Sequence, residues 1–534
     1  MILLRKFIVF LCCIKFGFSF ILKHEGLYKL DIIHFNDFHA RFEETSPVTP
    51  ICRFNNGSCL GGFPRLYTVV TALKDKKPQS ILLNAGDSFQ GTYWYTLLKW
   101  NVTQEFMNLL PHDAHALGNH DFDDGPIGLA PYISALNAPV VAANMVSTRE
   151  PVLRNLYEPY VILEREGRRI GVIGLITPDT KTLSFTGNVE FSDPSEATRR
   201  EAINLTAKGV DIIVVLSHCG YDVDVALARE HGQYVDVIVG GHSHRDETYF
   251  TPYLTVVQAD HDKTKKVIVV QAFAFTKAVG DLSVYFDVNG DVAEWVGEAI
   301  YLNNSIPEDE EIKKKLKPNA ELVHKAENTP IGITRSALDY RDCLHGECTV
   351  GDILVDALNY WAKQFIKGKH GYISFVQRTN INAIVPAGLI TKGSLIDLFP
   401  YYDFVETFEM KGKHILKALE RSISQLTSID PLEAPWLLQI SGLRVVYNVS
   451  KPEGKRVVEA YVGSSDTEHR LKKDVYYQVT APAYLADGGD GYLIFKNKKQ
   501  DMKIIGRDQN LLEKYIKEFS PLNAKPDGRI NITY

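Results

Sequence analysis

The chain has no overall charge excess of the sign that marks nucleic-acid or membrane-surface binding. Its 59 Lys and Arg stand against 65 Asp and Glu, a net charge of −6. No basic stripe with interleaved aromatics runs along it, which sets nucleic-acid recognition aside. An unbroken membrane-spanning run is also missing. The N-terminal "MILLRKFIVFLCCIKFGFSF" is interrupted by Lys15 and falls short of the ~20 apolar residues a span requires. Its two early positive charges, apolar stretch and small residues near Gly17 and Ser19 instead read as a secretory signal peptide over residues 1–20. The C-terminal "KPDGRINITY" lacks the hydrophobic tail of a lipid-anchor signal, so the mature chain is expected to be secreted with no membrane anchor. Repeats and low-complexity tracts are absent.

Cysteine is scarce. Of seven, Cys12 and Cys13 leave with the signal, and Cys52/Cys59 and Cys343/Cys348 each flank a short loop. In an oxidising compartment both pairs are expected as small-loop disulfides, since neither spacing makes a zinc knuckle. Cys219 is left over. Six Asn-x-Ser/Thr sequons, at Asn56, Asn101, Asn204, Asn303, Asn448 and Asn531, are expected glycosylation sites and agree with export.

What is present is a folded chain, 45% hydrophobic and 23% charged. At about 150 residues per domain, its 534 residues imply two or three domains. The first half repeats one theme: a short aliphatic run that ends abruptly in polar residues. The runs are "YKLDIIHFND", "SILLNAGD", "AHALGNHD", "APVVAANM", "RRIGVIGLIT", "VDIIVVLSHCG" and "YVDVIVGGHSH". Continuous apolar runs suit strands buried on both faces in a layered α/β fold. Ligands of such sheets collect at the carboxyl ends of the strands. Residues 306–329 are highly charged, with Pro307 placed to start a helix. They read as a linker helix between a domain over 27–305 and a mixed α/β domain over 330–534, with a surface helix of one domain as the alternative. Stripes at Ile353, Leu354, Ala357, Leu358, Trp361 and Phe365, and at Ile415, Leu419, Ile423 and Leu426, are read as core.

Five strand ends carry the chemistry. They offer Asp37 and His39; Asp87; Asn119, His120 and Asp123; His218; and His242 with His244. One such residue alone is ordinarily a hydrogen-bonded structural group. Together they would be costly to bury without partners, whereas a pair of divalent cations would satisfy them all. Imidazole, carboxylate and one amide suit zinc, manganese or cobalt better than an all-oxygen cage. Zinc is the first expectation, with manganese, cobalt, magnesium or calcium as alternatives. A carboxylate between two histidine-rich groups can bridge metals ~4 Å apart, which points to phosphoester or phosphoanhydride hydrolysis.

The ordered set D-x-H, G-D, G-N-H-[DE], H-x-G and G-H-S-H resembles the calcineurin-like metallophosphoesterases. The forms "HFNDFHAR", "NAGDSFQGT", "LGNHDFDDG" and "VGGHSH" resemble the 5'-nucleotidase and apyrase branch over nearly the whole mature chain. The resemblance implies a layered β-sandwich flanked by helices, followed by a second domain that binds the nucleotide. It implies that Asp37, His39, Asp87 and His244 hold one metal and that Asp87, Asn119, His218 and His242 hold the other. His120 with Asp123 would form a catalytic pair beside the phosphate, leaving Asp121 and Asp124 to loop or capping duties. "APAYLADGGDGY" resembles the nucleoside-binding loop, with Tyr484 and Tyr401 stacking on the base and Asp490 accepting from the ribose hydroxyls. Two expected cations are missing. In "FVQRTNINA" Gln377 stands for an asparagine and Asn382 for an arginine, and Leu344 replaces another arginine; Arg378 and Arg41 are candidate compensations.

The expectation is therefore a secreted apyrase that hydrolyses extracellular ATP and ADP to AMP, similar to the salivary apyrases of blood-feeding arthropods that suppress platelet aggregation. Hydrolysis of AMP to adenosine is the alternative within the family. A binding protein acting on nucleotides or a platelet-surface target is the alternative outside it, although no Arg-Gly-Asp tripeptide is present. Phosphodiesterase activity is a weaker third reading.

Overall fold

The computed structural model describes residues 26–46, 52, 57–244, 253–368, 370–381, 384–426, 436–463 and 468–534. The signal segment, Asn56 and Asn382 lie outside the described residues. The first half is built on two six-stranded sheets. Its strands, in chain order, are β1 (Tyr28–Phe35), β2 (Ile81–Asn84), β3 (Ala114–Ala116), β4 (Val140–Val141), β5 (Tyr160–Arg165), β6 (Arg168–Ile176), β7 (Ile212–His218), β8 (Val237–Gly240), β9 (Leu254–Gln258), β10 (Lys266–Gln271), β11 (Ala278–Phe286) and β12 (Val292–Tyr301). The sheet orders are β12-β11-β1-β2-β3-β4 and β9-β10-β8-β7-β6-β5.

In the first sheet β1 to β4 run parallel, and in the second β6, β7, β8 and β10 do. Antiparallel strands close both edges of the second sheet and one edge of the first. The apolar runs of the sequence become these strands because alternate residues find apolar cover on both faces. Leu30 and Ile32 point inward to meet Ile170, Val172, Val214 and Leu216 of the facing sheet. Ile33 and Phe35 point outward, onto Leu66, Val70 and Phe106 of the helices α1 (Phe63–Lys76) and α2 (Tyr93–Met107). The opposite outer face is covered by α4 (Pro194–Ala207) and α5 (Tyr221–His231), while α3 (Gly125–Ala135) lies beside α2.

A helix does occupy the charged region, as α6 (Glu310–Glu327). It begins later than Pro307 suggests, because Asp309 accepts from the Ile312 N–H and caps it. Its buried stripe of Ile312, Leu316 and Val323 joins the apolar cluster of the first half.

The second half has helices α7 (Thr349–Phe365), α8 (Gly412–Ser422), α9 (Leu493–Lys498) and α10 (Asp508–Phe519). Its strands are β13 (Tyr372–Gln377), β14 (Phe404–Lys411), β15 (Leu438–Ser441), β16 (Leu443–Asn448), β17 (Val457–Val462), β18 (His469–Arg470), β19 (Tyr476–Pro482), β20 (Gln500–Arg507) and β21 (Ile530–Thr533). They form a five-stranded sheet, β15-β13-β19-β14-β20, and a four-stranded sheet, β18-β17-β16-β21. Most of the expected helix stripes are buried. Phe365 is not: it stands 53% exposed at the end of α7. Ile423 and Leu426 are buried but lie beyond the last residue of α8.

Both small-loop disulfides, Cys52–Cys59 and Cys343–Cys348, are formed, and Cys219 is free and buried. Among the sequons, Asn101, Asn303 and Asn531 are exposed. Asn204 is only partly exposed, and its amide donates to the Tyr160 hydroxyl at 3.3 Å.

Candidate metal centre and nucleotide site

The parallel strands of both sheets end on the same edge, and the polar residues that follow them converge there. Asp37 and His39 follow β1, Asp87 follows β2, Asn119 and His120 follow β3, His218 ends β7, and His242 and His244 follow β8. Two groups have ligand atoms within 4.8 Å of one another: Asp37, His39 and His244, and Asp87, His218 and His242. His244 Nε2 lies 3.1 Å from Asp37 Oδ1 and 3.2 Å from His39 Nε2. Asp87 Oδ2 is 3.1 Å from His218 Nε2 and 3.7 Å from His39 Nε2, which places this one oxygen between the two groups.

The backbone is bent to make this possible. Asp37, His39, Asp87, His242 and His244 all have positive φ, from 47° to 76°, a conformation that costs energy in residues with side chains and that clusters at functional sites. Close approach requires small neighbours. A Cβ on Gly118 would stand 2.0 Å from Asp87 Oδ1.

The hydrogen bonds behind the site set which atoms face it. Asp37 Oδ2 accepts from Asn36 Nδ2 at 2.6 Å and from His242 N at 3.0 Å, and Asp87 Oδ1 accepts from His120 N at 2.8 Å. The opposite oxygen of each carboxylate is left for the centre. His39 Nδ1 lies 3.2 Å from Phe89 O, and His218 Nδ1 lies 2.6 Å from Ala85 O. A carbonyl only accepts, so both Nδ1 atoms donate, and both Nε2 atoms turn inward as the potential ligands. Burial lowers the His39 and His242 rings to about 4, keeping their lone pairs unprotonated. Burial works the same way on His218, but Asp87 and Asp37 outweigh it and push that ring up to about 10.

The centre thus attracts positive charge. Asn119 Oδ1 is buried without a hydrogen-bond partner, as a ligand atom for a cation would be. This donor set fits two divalent ions.

His120 lies beside the centre, its ring 5.3 Å from that of His39. Its Nδ1 is 2.9 Å from Asp123 Oδ2. Burial opposes charge on His120, yet the Asp123 carboxylate prevails and pushes it up to about 9. Asp123 is itself held by groups the sequence did not announce. Ser184 Oγ donates to its Oδ1 at 2.8 Å and Gln90 Nε2 to its Oδ2 at 3.2 Å. Its carbonyl accepts from Arg507 Nη2 at 3.1 Å, across from the second half of the chain. Arg507 stacks over Phe404 at 3.6 Å.

Asp121, expected in a loop or capping role, caps the Asn119 turn and does more. Its Oδ1 accepts from the Ser88 and Phe89 N–H groups at 3.0 and 3.1 Å, and its Oδ2 from Gly118 N at 2.9 Å. It ties the Asp87 turn to the Asn119 turn. Asp124 accepts from the Tyr95 hydroxyl at 2.8 Å and has no contact with the centre.

A cavity of about 420 Å³ opens from the centre toward the second half. Asp87, Asn119, His120, His242 and His244 line it on one side; Gln377, Thr379, Asn380, Tyr401, Asp403, Tyr484 and Asp490 line it on the other. Tyr401 stacks toward His120 at 6.3 Å between ring centroids. Asp490 accepts from the Tyr484 hydroxyl at 3.2 Å and from the Thr379 hydroxyl. Thr379 and Asn380 were not singled out in the sequence; both stand where the family's glycine-rich segment was expected. Arg41 is placed differently from expectation. It is 3% exposed, stacks on Phe275 and donates to the His39 and Gly91 carbonyls, so it props the metal loop instead of lining the cavity. Arg378 stacks over Tyr340.

Two family models match the chain: Calcineurin-like phosphoesterase over residues 30–246 and 5'-nucleotidase, C-terminal domain, over residues 323–497. An apyrase of Tabanus yao is 36% identical over 527 residues, covering 95% of this chain and 94% of its own length. An apyrase of Anopheles gambiae is 39% identical over 513 residues, covering 92% and 88%. The 5'-nucleotidase of Homo sapiens is 32% identical over 534 residues, covering 95% and 92%. In three dimensions, the crystal structure of a 5'-nucleotidase precursor from Thermus thermophilus superposes with a TM-score of 0.74 at 33% identity, covering 95% of this chain and 99% of that one. No described helix is long and apolar enough to cross a membrane. With two candidate cation sites at one sheet edge and a cavity joining them to the second half, this chain belongs to the 5'-nucleotidase and apyrase family and is a metal-dependent nucleotide phosphohydrolase.

Proposed function

We propose that the protein is a secreted apyrase that releases phosphate from extracellular ATP and ADP and leaves AMP. The observation that carries this reading is the single cavity shared by the metal centre, His120 and the Tyr401–Tyr484–Asp490 wall. The apyrase relatives support ATP and ADP over AMP. So does the loss of two arginines, at Asn382 and Leu344, which would otherwise grip a short terminal phosphate.

In this reading Asp37, His39, Asp87 and His244 hold one cation, and Asp87, Asn119, His218 and His242 the other. When bound, the pair supplies an activated water and neutralises the phosphoryl oxygens. The chain's own groups do the rest. Asp123 takes the Nδ1 proton of His120 as a hydrogen bond, which leaves Nε2 to meet a phosphate oxygen as negative charge grows on it. Ser184, Gln90 and Arg507 keep Asp123 in place. Tyr401 and Tyr484 receive the base, Gln377 offers its amide, and Asp490 exchanges its Thr379 and Tyr484 partners for the ribose hydroxyls.

The division into a metal-binding domain over 27–305, a linker helix over 306–329 and a nucleotide-binding domain over 330–534 belongs to the same proposal. So do the signal peptide, the glycosylated sequons and a role in limiting platelet aggregation by removing ADP. Phosphate release from ATP, ADP and AMP, with and without chelator, tests it. Chelator-sensitive release from ATP and ADP well above that from AMP is expected. Release chiefly from AMP would assign the 5'-nucleotidase activity instead, and no release from any of the three would sink the reading.

A further inference from the structure

Net charge averages over the surface and conceals one local excess. Helix α8 begins Lys411-Gly412-Lys413 and has no acidic residue in its first turn. Helices α1, α2 and α3 lack one as well, whereas α6 and α7 begin with Glu310 and Glu311, and with Asp352. Positive side chains at the start of α8 face the positive end of the macrodipole with no carboxylate to offset it, and because the Gly412 and Lys413 N–H groups donate to the Val475 and Lys473 carbonyls at 2.9 and 2.8 Å, the excess lies in the side chains.

The turn between β18 and β19 adds to it. Lys413 N donates to Lys473 O at 2.8 Å, and Gly412 packs so closely that a Cβ there would stand 2.3 Å from Lys472 O. Lys417 lies one turn further along the same face of α8, and Lys498 ends the neighbouring α9. Lys413, Lys417, Lys472, Lys473 and Lys498 are exposed. Lys411 is half-buried over the Tyr476 ring. None of the six is in an ion pair among the described residues, whereas nearby Lys496 pairs with Asp179 and Lys499 with Glu406 and Asp487. Asp474 is the one acid within the turn itself. His414, half-buried beside Lys413, is lowered by burial and then by Lys413, Lys498, Lys417 and Lys411.

We propose that this lysine surface, built from the first turns of α8, the 471–475 turn and the end of α9, binds a sulfated polysaccharide chain. Lysines act as point charges toward sulfate without demanding planar, bidentate geometry. A bilayer requires a second, apolar signal to hold a basic patch. None of the large exposed apolar side chains lies on α8 or on the 471–475 turn, and Leu493 is at the far end of α9. Binding there would retain the enzyme on extracellular matrix while the cavity stays free.

The full chain is tested on immobilised heparin at physiological salt, beside a Lys413→Glu/Lys417→Glu/Lys473→Glu variant and its neutral counterpart with Gln at all three positions. Wild type should bind, with affinity falling steeply as salt rises through counterion release. The Glu variant should lose at least about tenfold and the Gln variant an intermediate amount, for the loss of three charges among six. Both should keep the wild-type melting temperature and nucleotide turnover. Desulfated heparin should not compete. Absence of wild-type binding, equal binding by the Glu variant, or equal competition by desulfated heparin would overturn the proposal. So would capture by phosphatidylserine vesicles with the same lysine dependence, which would assign the surface to a membrane.

Discussion

Replacing Asp121 by asparagine changes one oxygen into an amide nitrogen and leaves the shape of the side chain intact. Three backbone N–H groups converge on this carboxylate, from Ser88, Phe89 and Gly118. An asparagine can serve either the Ser88/Phe89 pair or Gly118, but not all three. Its NH₂ then faces an N–H donor. A hydrogen bond to a charged group contributes about 1.5–3 kcal/mol, so the turn carrying Asp87 loses on the order of 2–3 kcal/mol of positional restraint. Asp87 stands between both candidate cation sites. At about 1.4 kcal/mol per tenfold, metal affinity should fall roughly ten- to a hundredfold, as for other outer-shell supports. Competition titration of zinc against a chromophoric chelator measures this, with the melting temperature of the metal-free protein as a folding control. Affinity within about threefold of wild type would refute the reasoning.

Other consequences follow from single contacts. Ser184→Ala removes the 2.8 Å donor to Asp123 and should lower kcat about tenfold, from the low end of a charged hydrogen bond, with KM nearly unchanged; an unaltered kcat would deny Ser184 its positioning role. Asp490→Asn should raise KM for nucleotides while leaving turnover of a small aryl phosphate, which has no ribose, unaffected; equal losses on both would place Asp490 in the chemistry instead. His34 is fully buried and lowered by burial to about 3, whereas the unfolded ring titrates near 6.5. The unfolded chain therefore binds the extra proton as pH falls through that window, and stability is lost from about pH 6.5 downward. At pH 5 the loss is about 2 kcal/mol for this ring. The difference in urea midpoint between pH 7.5 and pH 5 should shrink in His34→Asn, and an undiminished difference would contradict it.

The first half was readable in the sequence because buried parallel strands leave continuous apolar runs, and five of the seven runs stop where a candidate ligand begins. Asp37, Asp87, Asn119, His218 and His242 therefore announced themselves by position. The supports did not. Ser184, Gln90 and Asp121 act through hydrogen bonds to partners distant in sequence or to backbone groups, and Arg507 reaches Asp123 from 384 residues away. No local pattern encodes such contacts. Arg41 was misjudged because proximity to a metal motif in sequence does not say which way a side chain turns; here Phe275 and two carbonyls take it inward. The lysine surface was hidden for the opposite reason. Its members come from three segments, none of them basic enough to stand out alone.

Metal stoichiometry read together with turnover reaches the centre of the matter. The chelated, metal-free protein is titrated with manganese or zinc while phosphate release from ADP is followed. Turnover should be absent at the start and reach its plateau at two equivalents, with Asp87→Asn far below wild type at any metal concentration. Full turnover in protein verified to be metal-free, or a plateau at one equivalent that Asp87→Asn shares, would contradict a two-cation centre bridged by Asp87.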